Sequence, residues 1–211
     1  MTSSALTEDR LLGGRVRLSQ PATGYRAGID PVLLAAAVAA QAGESAVDAG
    51  AGVGAAALCL AVRVPGVVVH GLEIDARQVE LASVNAQSTG VADRVRFTAA
   101  DLLTQSIAAP VDHVLTNPPY LEPGAATAPP DAARARAHVE GEGGLGRWLA
   151  ACAGLLRRDG CLTLIHRADR LNDALAGLRA VVASKSSRCG RAGASRPSGS
   201  SCAPARAAGR R

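Results

Sequence analysis

Val47-Asp48-Ala49-Gly50-Ala51-Gly52-Val53-Gly54 decides how the rest of the chain is read. Residues 45–49 have the small, apolar character of a short strand, and residues 55–64 read as a helix. The three alternate glycines between them let the backbone turn tightly and approach a ligand without Cβ clashes. Strand, glycine turn and helix together open a unit of the type that builds parallel sheets. Working outward, residues 67–72 form a β-branched apolar run, a buried strand. Residues 75–89 are helical, 95–99 and 111–116 are strands, 145–157 a helix, 161–166 a strand and 168–181 a helix. Upstream, Asp30 is placed as N-cap and Pro31 at the first turn of a helix reaching about residue 42. Residues 11–25 are short-stranded and rich in turns. Strands alternating with helices predict an α/β domain, a mostly parallel sheet with helices on both faces. Ligands of such folds sit at the carboxyl ends of the strands.

The glycine turn fits two kinds of cofactor site. Gly50, Gly52 and Ala55 satisfy the dinucleotide pattern G-x-G-x-x-G/A only loosely. Asp48, Gly50, Gly52 and Gly54 satisfy D-x-G-x-G-x-G in full. A carboxylate beside the turn suits the ammonium of S-adenosylmethionine better than a diphosphate. Glu73, about 20 residues on, follows the next strand and is placed to accept ribose hydroxyls, which either cofactor offers. Asp75 is the better candidate for a helix cap. Asp101, after the third strand, is a candidate acceptor for an adenine amino group, or a surface N-cap.

Asn117-Pro118-Pro119-Tyr120 follows the fourth strand of the series. The lone pair of an adenine or amide nitrogen is delocalised, so that nitrogen is a weak nucleophile. Acceptors on its N–H groups, here the Asn117 side-chain oxygen and the Pro118 carbonyl, return electron density to it. Neither Pro118 nor Pro119 has a backbone N–H to compete. Tyr120 offers an aromatic face to a planar substrate. Alignment with the methyl donor supplies much of the rate, and no strong base is required.

The two motifs together resemble class I S-adenosylmethionine-dependent N-methyltransferases of the Asn-Pro-Pro-Tyr type, with a Rossmann-like sheet. Leu12-Gly13-Gly14-Arg15 and the run from Gln20 through Gly24-Tyr25-Arg26-Ala27-Gly28-Ile29-Asp30-Pro31 to Ala35 are similar to the valine tRNA adenine-N6 methyltransferase family. The resemblance covers residues 11–180. It implies S-adenosylmethionine as cofactor, adenine in tRNA as substrate, and Arg26 and Asp30 close to the cofactor. Release-factor glutamine methylation and guanine N2 methylation of ribosomal RNA share the chemistry and remain alternatives. Outside that class stand an NAD-dependent oxidoreductase, for which no Tyr-x-x-x-Lys pair is present, and an inactive product.

The ends of the chain depart from this picture. Residues 1–10 are polar and acidic, and are expected as a disordered leader without a signal peptide. Of the 28 residues 184–211, 25 are Ser, Arg, Gly, Ala or Pro, and none is Val, Ile, Leu or Phe, so they cannot offset their ordering entropy by burial. The expectation is a domain over 11–183 and a low-complexity or out-of-frame tail over 184–211. A C-terminal β-hairpin, which the resemblance implies, is expected to be missing.

The formal charge of +5 is misleading as a guide to partners. Eight Lys/Arg and no Asp/Glu lie from Arg179 onward, leaving 15 basic against 18 acidic residues before it. Arg134, Arg136, Arg147, Arg157 and Arg158 are candidates for a local basic patch. Cys59, Cys152, Cys161, Cys189 and Cys202 include no C-x-x-C pair, and His70, His113, His138 and His166 form no metal spacing, so no metal is expected. Trp148 reads as a core or lid contact. The apolar run 32–42 is too short to span a bilayer. A cytoplasmic monomer is the expectation.

Overall fold

The computed structural model describes residues 5–23, 26–104, 110–118 and 144–189. Strands β1 (Leu6–Leu11) and β2 (Val16–Pro21) form an antiparallel ribbon. Then follow α1 (Asp30–Ala37), β3 (Ser45–Ala49), α2 (Ala55–Arg63), β4 (Val68–Glu73), α3 (Ala76–Thr89), β5 (Val95–Ala99), β6 (Val111–Thr116), α4 (Gly144–Gly154), β7 (Leu156–Leu164) and α5 (Leu171–Cys189). The central sheet has the order β5-β4-β3-β6-β7 with every pairing parallel. The α/β fold expected from the alternation of elements is therefore present.

Alternation along the strands splits the core in two. Ala46 and Leu115 join the cluster with Leu34, Leu58 and Leu60 of α1 and α2. Val47, Ala49 and Val114 face the other way, onto Trp148, Leu149 and Cys152 of α4. Period-two side-chain alternation thus requires helices on both faces. α4 and α5 approach closely where both have glycine: a Cβ on Gly177 would lie 3.2 Å from Gly146 Cα.

Several boundaries differ from the sequence reading. Residues 6–10 belong to β1, contrary to the disordered leader expected there. Asp9 accepts from Gln20 Nε2 at 2.8 Å and Arg26 Nη2 at 2.7 Å, and Thr7 Oγ1 donates to Gln20 O. The polar composition is that of a ribbon whose side chains bond across it. Asp30 is the first residue of α1 and Ile29 its cap, and the helix stops at Ala37. Arg63 accounts for the early stop, since its guanidinium donates to the carbonyls of Ala35 and Val38. α4 ends at Gly154 and β7 starts at Leu156, five residues before the expected strand. Leu156 pairs with Val111 and Cys161 with His113, so the segment between them makes an excursion, with Asp159 at φ 64°. α5 runs to Cys189, six residues into the expected tail. Residues 190–211, the remainder of that tail, lie outside the described residues. No described helix is long and apolar enough to cross a membrane.

Candidate functional site

The tips of β3, β4 and β6 lie side by side, because Ala49 is in register with Leu72 on one side and Thr116 on the other. The glycine turn leaves from β3, Glu73 ends β4, and Asn117 follows β6. Gly50 and Ala51 donate their N–H groups to Leu72 O, both at 2.9 Å, folding the turn across the end of β4. Gly54 has φ 87°, and a Cβ there would lie 2.7 Å from Phe97 Cζ, so the start of α2 needs glycine for both conformation and space.

Asp48 is only 2% exposed. Its Oδ2 accepts the N–H of Ala57, in the first turn of α2, at 3.0 Å. Among the described residues its other oxygen has no hydrogen-bond partner. Burial, and then the Glu73 charge, push the Asp48 carboxyl up to about 7, while the Ala57 bond opposes the rise. Glu73 Oε2 accepts from Gly52 N at 2.8 Å and Oε1 from Asp75 N at 3.1 Å. Burial raises the Glu73 carboxyl as well, against these backbone donors. Asp75 caps α3 by accepting from Arg77 N, as its position suggested.

Asp101 stands two residues beyond β5, where Ala100 N donates to Glu73 O at 2.8 Å. Its Oδ1 accepts from Leu103 N at 2.9 Å, which makes it a turn former. Asn117 is half-buried and Pro118 buried. Pro119 and Tyr120 lie outside the described residues. Arg26 is held by Asp9, Thr7 Oγ1 and Pro21 O on the ribbon. Neither it nor Asp30 bonds to the glycine turn among the described residues. The sheet therefore gathers Asp48, Gly50, Gly52, Gly54, Glu73, Asp101, Asn117 and Pro118 at one end, and leaves Arg26 with the ribbon. Of the candidate basic patch, Arg157 pairs with Asp112, and Arg134 and Arg136 are outside the described residues.

The sequence reading missed two polar residues. Thr116, fully buried, donates from Oγ1 to Ala49 O at 2.8 Å and accepts from Trp148 Nε1 at 3.0 Å. A polar residue after the buried pair Val114-Leu115 and directly before Asn117 was the available signal. Asn85, 1% exposed, donates to Val53 O and Ser19 O and accepts from Ser19 N, joining the ribbon to the glycine turn. The thiols of Cys59 and Cys152 are pushed up to about 12 by burial, which leaves them unreactive.

The family model of the methyltransferase small domain matches residues 27–145. A tRNA1(Val) (adenine(37)-N6)-methyltransferase from Porphyromonas gingivalis is 33% identical over 165 residues, 74% of this chain and 64% of that protein. A release factor glutamine methyltransferase from Chlorobaculum tepidum is 40% identical over 81 residues, 36% of this chain and 28% of that protein. The chain spans just under two thirds of the length of the two Porphyromonas gingivalis proteins of that name that it matches. Among solved structures, TrmN from Thermus thermophilus superposes with a TM-score of 0.55 at 23% identity, covering 70% of this chain and 40% of that one. An S-adenosylmethionine-dependent O-methyltransferase from Thermotoga maritima gives 0.53 at 20% identity, covering 75% and 51%. At such identities the structural likeness speaks for the fold alone. The glycine turn, Glu73 and Asn117 all fall inside the matched span, and the chain belongs to the methyltransferase small domain family.

Proposed function

We propose that the chain transfers a methyl group from S-adenosylmethionine to an exocyclic amino nitrogen, that of an adenine in tRNA. One observation carries the reading: the glycine turn and Asn117 leave from neighbouring strands at the same end of the sheet, through the Ala49–Thr116 register. The residues present suit the donor. Among the described residues Asp48 has an oxygen without a partner, beside the turn, and its carboxylate is complementary to an ammonium and repels a diphosphate. Glu73 retains acceptor capacity beyond its two backbone donors, because each carboxylate oxygen has two lone pairs. When bound, the sulfonium supplies an electrophilic methyl group.

On the substrate side, the Asn117 oxygen and Pro118 carbonyl accept from the target's N–H groups and keep its nitrogen electron-rich. Tyr120, outside the described residues, is the aromatic side chain assigned to the ring. The proton lost after transfer passes to solvent. The tRNA assignment draws on the relative from Porphyromonas gingivalis and on the ribbon and α1 segment that precede the glycine turn. A second reading, methylation of a glutamine amide in a protein, draws on the shorter match to the Chlorobaculum tepidum enzyme. Both substrates present a planar N–H₂ group.

Incubation with methyl-labelled S-adenosylmethionine and, separately, bulk tRNA, ribosomal RNA and release factor tests the proposal. Label is expected in tRNA and, after digestion, in N6-methyladenosine. Label confined to release factor replaces the tRNA assignment with the glutamine one. A folded sample with no affinity for S-adenosylhomocysteine overturns the donor assignment.

A further inference from the structure

Trp148 is the chain's single tryptophan and comes from α4, on the far side of the sheet from α2. Its indole N–H reaches Thr116 Oγ1 at 3.0 Å, and the same hydroxyl donates to Ala49 O at 2.8 Å. A hydroxyl has one proton to give, so this order of donors fixes its direction. The benzenoid edge of the indole lies against the glycine turn: a Cβ on Gly50 would be 3.3 Å from Cζ2 and 3.5 Å from Cη2. Trp148 is 6% exposed and Thr116 fully buried. One side chain thus touches the first glycine of the cofactor turn and bonds the residue directly before Asn117.

We propose that Trp148, through Thr116, is a positioning residue for methyl transfer, holding the glycine turn after β3 and Asn117 at the end of β6 at a fixed separation. This rests on the function proposed above and extends it. Parallel pairing already aligns the two strands, but the last pair of a ladder frays most easily, and the reacting groups hang beyond it. A buried hydroxyl that closes the end of the ladder, with an indole wedged against the adjoining turn, removes that freedom. Transfer rates fall steeply when reacting atoms are misplaced by about 1 Å. The contribution is therefore expected in the transfer step, with little effect on the affinity for either ligand.

The single indole also reports on itself. S-adenosylhomocysteine binding to the turn is expected to change the Trp148 emission saturably, with the midpoint found by calorimetry. Trp148→Phe keeps an aromatic ring on α4, deletes the N–H and withdraws the benzenoid edge from Gly50. It is expected to bind S-adenosylhomocysteine within about 3-fold of the parent and keep KM for tRNA, while kcat falls at least 10-fold. Thr116→Val, which removes the hydroxyl at nearly constant volume, should reproduce that fall, and Thr116→Ser should restore most of the rate. Leu149→Ala, a buried change on the same helix, serves as the control, lowering Tm without the selective loss of kcat. A wild-type chain that binds the probe with no change in emission overturns the proposal. So does Trp148→Phe turning over at the parent rate, or losing rate only in proportion to Tm. Absence of probe binding by the folded wild-type chain, by contrast, defeats the donor assignment itself.

Discussion

The carboxylate of Glu73 accepts the backbone N–H of Gly52 at 2.8 Å, so the end of β4 is tied into the turn that follows β3. Its other oxygen accepts from Asp75 N at the start of α3. Two loops that belong to successive βα units are therefore held by one side chain.

Removing that side chain should weaken both the turn and its affinity for ligand. Glu73→Ala leaves two backbone donors without acceptors, a loss of about 1–3 kcal/mol in unfolding free energy. Glu73→Gln keeps one accepting oxygen and should recover part of that stability. Its NH₂ end cannot accept from a hydroxyl, so affinity for S-adenosylhomocysteine is expected to fall at least 10-fold in both variants. Calorimetry beside urea unfolding separates the two effects, and Glu73→Gln with parent-like affinity would remove Glu73 from the cofactor site.

Asp48 gives a pH dependence with a definite sign. Burial lifts its carboxyl from the usual 3.8 to about 7, so the native state binds the proton more tightly than the unfolded chain. The ionised form is the disfavoured one: the penalty is absent below about pH 4, grows as pH rises, and is complete above about 7. Asp48→Asn, which cannot ionise, should therefore be more stable than the parent at pH 8, by on the order of a few kcal/mol, with the gap closing at pH 4. A ligand ammonium beside the turn favours the carboxylate, so affinity for S-adenosylhomocysteine should rise between pH 6 and 8, with a proton released on binding below pH 7. Thermal unfolding across pH and calorimetry in buffers of different ionisation enthalpy check both. An Asp48→Asn chain that is more stable yet binds as well as the parent would make Asp48 purely structural.

The sheet and its functional end were legible because they rest on local rules. Val67 and Val69 are buried on one face of the sheet and Leu72 on the other, as a strand between two others requires, and Gly50, Gly52 and Gly54 take the positive φ of a tight turn that other residues rarely adopt. The early stop of α1 was not legible, since the group that covers its carbonyls is Arg63, 28 residues from Ala35. The ribbon was misread for a similar reason. Thr7 and Asp9 look like solvated leader residues until Gln20 and Arg26 are beside them. Asn117 could be read from its motif, whereas Thr116 acquires its role only when α4 delivers an indole from 32 positions away.

Phe97 occupies space that two glycines leave open. A Cβ on Gly71 of β4 would fall 2.2 Å from Phe97 Cδ1 and 3.0 Å from Ala51 Cβ, and one on Gly54 would meet the same ring. Gly71→Ala is expected to cost about 1–3 kcal/mol as an overpacked core does. Gly28→Ala, with nothing within 4 Å of the added atom, should stay within about 0.5 kcal/mol of the parent. Pairing Gly71→Ala with Phe97→Leu should return part of the loss. Denaturant midpoints of the four chains decide this, and equal stability of the two alanine variants would refute the crowding.

Asn85 carries the link between the ribbon and the cofactor turn. Its amide donates to Ser19 O at 2.9 Å and to Val53 O at 3.0 Å, and its oxygen accepts Ser19 N at 2.8 Å, all from the buried side of α3. One turn further along α3, Thr89 Oγ1 accepts from Arg17 N and donates to Arg17 O, so α3 satisfies alternate backbone groups of β2 in place of a third strand. Asn85→Ala strands a donor and two acceptors and should cost about 2–4 kcal/mol. Asn85→Asp should cost more near neutral pH, because a carboxylate can still accept from Ser19 N but faces two carbonyls with no proton to offer. The loss should be local first: hydrogen exchange is expected to accelerate at Ser19 and its neighbours in the ribbon while the amides of β3 and β4 stay protected. Uniform acceleration across the sheet would mean that Asn85 supports the core as a whole and does not serve as the hinge between ribbon and turn.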